Sequence, residues 1–428
     1  MELTGRGRTI TGTMTSSTTR IFLSAGEASG DHYGAQLIAV LRESLPGMRC
    51  FGLGGLEMER VGLERVVRAE DVAHMGITEV IRHAPYIYGQ YRKLVAAIER
   101  ERPDVAVLID FPDVNFRLAK HCKRLGIPVV YLVSPQLWAW KRRRLRWVQE
   151  RVTRMLVIFP FEAEFYRARG VDAEFIGHPL AYLPLPTVSR EEYAARYQLD
   201  PAKPWIALLP GSRWRELTAN LPTMVEMARQ YPVECEYILP VASTIDEARL
   251  REFVTGWITF EPGRAAATTS LPYLHLVPDA REAMRHARAS VVASGTATVQ
   301  AAVIGNPFVV VYRVSPVTFA LAKLLVEYPP EIPAEEDESG NLPIGMVNLI
   351  AGRRIVPELL QENFTPRNLF WALAPLLEES PTRARQIEDL AEVRRRLVPD
   401  AEVDPIGRAA RVVLEVLEKR PARAAVTS

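Results

Sequence analysis

Residues 20–31 read RIFLSAGEASGD, and this stretch decides the fold. Arg20 to Ala25 is a short apolar run with strand composition, Gly26 to Asp31 is a turn of small residues, and the apolar residues that follow through Leu41 recur at helical spacing. The unit repeats down the chain. Asp104 to Asp110 reads as a strand feeding a helix through Leu125, and Ile127 to Val133 as another strand before another helix. This is the strand–helix–strand rhythm of a parallel, doubly wound sheet. After Pro179, Pro184 and Pro186 a second series begins, with strands expected at Trp205 to Leu209, Tyr237 to Val241, Ser290 to Ala293 and Phe308 to Tyr312. The expected fold class is therefore α/β, two Rossmann-like doubly wound domains facing a cleft. Ligands of such sheets bind beyond the carboxyl ends of the strands.

The expected divisions are a disordered leader at 1–19, an N-terminal domain at 20–185, a C-terminal domain at 186–375, and C-terminal helices with a frayed tail at 376–428. Pro329 to Pro343, rich in proline and acid, reads as a solvated loop.

Composition narrows the function. A chain of 428 residues, 48% hydrophobic, can bury two cores. With 53 basic and 51 acidic side chains, the net charge of +2 provides no global field for nucleic acid, and any basic surface must be local. Cys50, Cys122 and Cys235 are far apart, with no CxxC pair or Cys/His cluster, and read as reduced thiols of a cytosolic protein. The N-terminus lacks the continuous apolar core of a secretory signal, and no run of about 18 apolar residues occurs, so membrane contact is expected to be peripheral.

Six segments could carry chemistry. In Gly26-Glu27-Ala28-Ser29-Gly30-Asp31, amides at a helix start can approach an anion or a sugar; equally, this is a tight turn with Asp31 capping its helix. It is not GxGxxG and lacks a matching ribose-binding acid, which disfavours a nicotinamide cofactor. Asp110-Phe111-Pro112-Asp113-Val114-Asn115 places two carboxylates and an amide at a strand end. Asp113 is the first choice for a base that deprotonates an attacking hydroxyl, although a helix N-cap would use the same residue. Leu209-Pro210-Gly211-Ser212-Arg213 and Ser294-Gly295-Thr296-Ala297-Thr298 each lie between a strand and a helix. Arg213 and the second loop's amides suit a diphosphate leaving group held without a metal; each loop could also be a glycine turn with a hydroxyl cap. Trp138 and Trp140, followed by Lys141-Arg142-Arg143-Arg144, suit a surface meeting acyl chains and anionic head groups, or else pack inward beside a solvated basic face. His178, in Gly177-His178-Pro179, reads either as a ligand contact or as a hydrogen-bonded hinge histidine. No P-loop, HExxH or GxSxG occurs.

Taken in order, SAGEASGDHYGAQLI (24–38), HMGITEV (74–80), DFPDVNF (110–116), VSPQLWAWKRRR (133–144), IFPFEAEFY, FIGHPL, LLPGSR, ASGTAT and VPELLQ resemble lipid-A-disaccharide synthases from Arg20 to about Phe370. The resemblance implies a glycosyltransferase of the B architecture that inverts its donor sugar and needs no cofactor or metal. It would transfer 2,3-diacylglucosamine from UDP to the 6-hydroxyl of 2,3-diacylglucosamine 1-phosphate. It further implies an acceptor-side N-terminal domain, a nucleotide-sugar-binding C-terminal domain, a peripheral position on the cytoplasmic face of the inner membrane, and in some members a homodimer. By resemblance the base falls on Asp113 and a second motif carboxylate on Asp104. Nucleotide contacts fall on Arg213, Ser294, Gly295, Thr296, Asn348 and Gln361, while Gly26, Glu27, Ser29, Asp31, Trp138 and Trp140 lie on the acceptor or lipid side. The chain departs from the pattern in two places. Gln300 stands where similar transferases carry a glutamate suited to ribose hydroxyls, and the segment before Asn348 is longer and more acidic than a compact Leu-Pro-Asn. Two rival readings stay open: another UDP-N-acetylglucosamine enzyme of this architecture, an epimerase or lipid-linked transferase, and a non-catalytic lipid- or nucleotide-binding paralogue.

Overall fold

A computed structural model describes residues 18–73, 84–231, 234–259 and 274–419. The HMGITEV segment, most of the expected leader and the expected frayed tail lie outside these residues. Two sheets organise the chain. The first contains β1 (Arg20–Ala25), β2 (Arg49–Gly54), β3 (Leu63–Arg68), β4 (Val105–Ile109), β5 (Val129–Leu132), β6 (Arg154–Val157) and β7 (Ala173–Phe175). Its strand order is β3-β2-β1-β4-β5-β6-β7. The second contains β8 (Trp205–Leu209), β9 (Glu236–Pro240), β10 (Leu274–Val277), β11 (Ala289–Ala293), β12 (Phe308–Tyr312) and β13 (Glu358–Leu360), in the order β10-β9-β8-β11-β12-β13. β1 pairs in parallel with β2 and β4, and β8 pairs in parallel with β9 and β11.

Continuous apolar strands arise because a parallel sheet covered by helices is buried on both faces. β4 reads VAVLI and β8 reads WIALL, and every residue of both is buried. Helices fill the connections. Ala28–Ser44 follows β1, and Pro112–Arg124, with proline in its first turn, follows β4. Trp214–Gln230 follows β8 and Thr296–Ile304 follows β11.

Each sheet reverses its direction of growth once, between β1 and β4 in the first and between β8 and β11 in the second. Such switch points open a crevice at the strands' carboxyl ends. The loops after β1, β4, β8 and β11 therefore occupy equivalent places in their own sheets.

Two compact units partition the chain. One takes the residues up to Pro135, Trp147–Met155 and those from Ile406 onward; the other takes Gln136–Arg146 and Leu156–Pro405. The chain's last described helix, Pro405–Glu418, thus belongs with the N-terminal strands, where Glu415 lies 3.3 Å from Arg154. The loop bearing Trp138 and Trp140 belongs with the second unit. From Pro329 to Pro343 there is no helix or strand, as its composition requires. Among the described residues no helix is long and apolar enough to cross a membrane.

Candidate active site

At the first switch point, Gly26 is buried and packed under an aromatic ring: a Cβ added there would lie 2.5 Å from Phe111 Cδ1. Only glycine fits this approach. Phe111 and Asp110 are both left-handed, with φ of 46° and 45°. Non-glycine residues rarely adopt that conformation, and it is retained where the surroundings enforce it. Here the enforcing groups are visible. Tyr131 Oη donates to the Asp110 carbonyl at 2.6 Å, and Asn115 Nδ2 donates to the same oxygen at 2.8 Å. Asn115 is fully buried and also accepts Ser24 Oγ at 2.6 Å, tying the ends of β1 and β4 together. The amide expected to face a ligand is thus a bracket for the loop.

The left-handed turn leaves Asp110 half-buried and sends Asp113 outward, exposed in the first turn of its helix. Phe111, not Asp113, holds the N-cap position, so the capping alternative for Asp113 does not describe its place. Burial, and then the carboxylate of Glu27, raise the Asp110 carboxyl to about 6, against a smaller opposing pull from the Phe111 amide. Glu27 is the exposed N-cap of its helix, with Ser29 exposed beside it. The switch point therefore sets Glu27 near Asp110 next to Gly26, with Asp113 exposed in the first turn of the helix that follows.

Asp31 has another place. Its buried carboxylate accepts the amides of Gly55, Glu57 and Met58 at 2.7, 3.0 and 3.2 Å, capping the helix Leu56–Arg60 rather than its own. It is a joint between consecutive strand–helix units and does not face outward. Asp104 accepts the Arg20 amide at 2.8 Å at the amino ends of β1 and β4, the opposite edge from Asp113.

At the second switch point, Arg213 is the N-cap residue of Trp214–Gln230, with its side chain 80% exposed. The backbone of this loop is already engaged: Glu216 accepts the amides of Ser212 and Arg213 at 3.1 and 3.4 Å and pairs with the Arg213 guanidinium at 3.6 Å. Gly211, at φ 129°, accommodates Glu216, whose Cβ would be 2.5 Å from any Cβ added there. The loop after β11 is different. Gly295 is the N-cap of Thr296–Ile304 and supplies no side-chain cap, and nothing lies within 4 Å of where its Cβ would project. Gly295 and Thr296 are exposed, Gln300 sits half-buried one turn on, and Ser294 Oγ donates to the Ile344 carbonyl at 3.3 Å. A helix start without a side-chain cap, under open space, suits a diphosphate.

Three residues expected on the nucleotide or lipid side are committed elsewhere. Asn348 is fully buried: its Oδ1 accepts the amides of Ile355 and Val356 at 2.7 and 3.0 Å, and its Nδ2 donates to Glu358 at 2.7 Å. Glu358, unmarked by sequence reasoning, also accepts the amides of Ile344 and Gly345 at 2.9 Å each and so fixes the start of Met346–Ala351. Gln361 exchanges two hydrogen bonds with the Val314 backbone, at 2.9 and 3.0 Å, which lock its side chain to that strand end. Trp138 is buried, donates to Glu162 at 3.0 Å and packs edge-on to Phe161, so it is core rather than lipid-facing. Trp140, two residues on, is 46% exposed. His178 is buried and hydrogen-bonded within its own turn: its Nδ1 accepts the Leu180 amide at 3.2 Å, and burial lowers its pKa to about 4, leaving it neutral. The three cysteines are free and buried.

Two parallel sheets of this order, each with polar loops at its switch point, define the architecture of B-type glycosyltransferases. Solved structures agree on the fold. The calicheamicin glycosyltransferase CalG4 aligns with a TM-score of 0.56 at 16% identity, covering 94% of this chain and 99% of that one. The S. aureus MnaA-UDP co-structure aligns with a TM-score of 0.57 at 11% identity, with the same coverages. Sequence goes further. Residues 21–402 match the family described as Lipid-A-disaccharide synthetase, and the Lipid-A-disaccharide synthase of Acidobacterium capsulatum is 52% identical over 409 residues, 95% of this chain and 98% of the relative. The chain belongs to the lipid-A-disaccharide synthase family and is a glycosyltransferase of lipid A biosynthesis.

Proposed function

We propose that the chain moves 2,3-diacylglucosamine from its UDP donor to the 6-hydroxyl of 2,3-diacylglucosamine 1-phosphate in one displacement. The hydroxyl proton goes to the Asp113 carboxylate as the acceptor oxygen bonds to the anomeric carbon. The bond to the diphosphate breaks with its electron pair on UDP, and a β-1,6-linked disaccharide 1-phosphate is released. Attack from the face opposite the leaving group inverts that carbon. The exposed Arg213 guanidinium and the amides at Ser294, Gly295 and Thr296 receive the charge on UDP. Gln300 offers a neutral hydrogen bond to the ribose.

The observation that carries this reading is the placement of exposed Asp113 in the first sheet, and of Arg213 and open Gly295 in the second, at equivalent switch-point loops. Asp110, held near 6, is charged at neutral pH beside Glu27. Because both substrates are acylated, we place the reaction at the cytoplasmic face of the inner membrane, with the protein bound peripherally; sedimentation decides between monomer and homodimer. The test is incubation of the purified chain with both substrates in the absence of divalent metal, with product read by mass spectrometry. A disaccharide 1-phosphate and stoichiometric UDP are expected. Consumption of unacylated UDP-N-acetylglucosamine instead would move the chain to the epimerase reading, and UDP binding without turnover to the non-catalytic one.

A further inference from the structure

The helix Pro316–Leu325 contains no buried residue, although its sequence is PVTFALAKLL. Val317, Leu321, Leu324 and Leu325 are 71, 52, 80 and 63% exposed. Their spacing of four, three and one places them on one face of the helix. An exposed apolar stripe of this kind, on a helix that packs so little of itself away, marks an interaction surface. What lies beside it identifies the partner. Just past the helix, the Glu327 amide donates to the Ala139 carbonyl at 3.4 Å, and Arg142 donates to both the carbonyl and the carboxylate of Glu327. These bonds join the helix's end to the Trp140 loop. There the half-exposed Trp140 carries the Lys141 ammonium 4.0 Å from its ring centroid, and Lys141, Arg143 and Arg146 are exposed. A leucine stripe, an interfacial tryptophan and a cluster of cations together complement the head-group and acyl layers of an anionic bilayer.

We propose that the Pro316–Leu325 stripe and the Trp140–Arg146 basic loop form one surface that docks this chain on an anionic phospholipid bilayer. The stripe enters the acyl boundary while the cations meet phosphates. This deepens, and rests on, the reading that the substrates are acylated and held in a membrane. The apolar part gives contact that persists in salt, and the basic part gives contact that salt screens.

The test is flotation of the full-length chain with vesicles of phosphatidylethanolamine and phosphatidylglycerol, compared with pure phosphatidylcholine, alongside turnover of detergent-dispersed substrates. The wild type is expected to float with the anionic vesicles and only weakly with the zwitterionic ones. The triple variant Leu321→Ser, Leu324→Ser, Leu325→Ser is expected to lose at least about tenfold in partitioning while keeping turnover in detergent. Lys141→Ser and Arg143→Ser are each expected to cost about fivefold, from about 1 kcal/mol per basic residue near an anionic surface, with the loss erased at high salt. If the wild type floats and the triple variant floats equally, this surface is not the dock, while the membrane reading stands. If the wild type makes disaccharide but does not float, docking itself is refuted. If the triple variant turns a dimer into a monomer with flotation unchanged, the stripe is a contact between copies and the inference is overturned. Failure of the substrate reading is separately visible as absence of disaccharide in detergent.

Discussion

The two sheets share one strand order around their switch points and put opposite chemistry there. The loops after β1 and β4 bring Glu27, Asp110 and Asp113 to the carboxyl edge of the first sheet. The loops after β8 and β11 bring the Arg213 guanidinium and the start of the Thr296–Ile304 helix to the same edge of the second. Their backbones differ as well: Asp110 and Phe111 are forced into left-handed geometry by buried donors, whereas Gly295 reaches φ 155° with open space above it. One scaffold thus gives a crowded acidic site suited to taking a proton and an open electropositive site suited to holding an anion. Function lies in the loops rather than in the fold.

The sharpest way to break this division is Asp113→Ala. A positioned base contributes about 10²- to 10⁴-fold, so kcat is expected to fall by that factor while the Kd for UDP, measured calorimetrically, stays unchanged. Arg213→Ala is expected to do the reverse to binding. Loss of charge-assisted hydrogen bonds of about 1.5–3 kcal/mol corresponds to UDP held about 10- to 100-fold more weakly. If the two variants exchanged these effects, the assignment of roles to the sheets would be wrong.

A pH series separates the two environments more finely. In the folded chain Asp110 keeps its proton up to about 6, whereas its ordinary value is 3.8. Stability linked to that proton is fully present below 3.8 and is lost as pH rises through 6. His178 runs the other way: its folded value of about 4 lies below 6.5, so its contribution is present above 6.5 and is lost as pH falls toward 4. Urea unfolding of wild type and Asp110→Asn between pH 4 and 7 isolates the first effect, with the wild type expected to lose ground to the variant as pH rises. A flat difference would show that Asp110 is not held in its acid form. The smallest expected effect is at Gln300→Glu, where a charged acceptor should tighten UDP about fivefold, the gap of about 1 kcal/mol between neutral and charge-assisted bonds. An unchanged Kd would mean that position 300 does not reach the nucleotide.

The central strands were legible in the sequence because their signal is local. β1, β8 and β12 fall where the apolar runs of Arg20 to Ala25, Trp205 to Leu209 and Phe308 to Tyr312 place them. The strands that escaped notice are β2, β3, β6, β7, β10 and β13. β7 and β13 have only three residues each, and β3, LERVVR, is half charged and so lacks an apolar run. The switch-point loops were legible for a similar reason, since a glycine or acid after an apolar run is visible without the fold. What the sequence concealed was the destination of polar side chains. Asp31 caps a helix 25 residues onward, Asn348 turns toward Ile355, Val356 and Glu358, and Gln361 returns to Val314. Whether an amide serves a ligand or its own backbone is decided by partners far along the chain. The two tryptophans of LWAW show the same limit, one turned to Glu162 and the other to solvent.

The contact between Gly26 and the Phe111 ring constrains more than a single position. A methyl group at 26 must displace the ring, and the ring belongs to the same left-handed pair that sets the path from β4 to Asp113. The two sites are therefore coupled: a side chain at residue 26 fits only where the ring of residue 111 gives way, and a shift of that ring is felt along the path to Asp113.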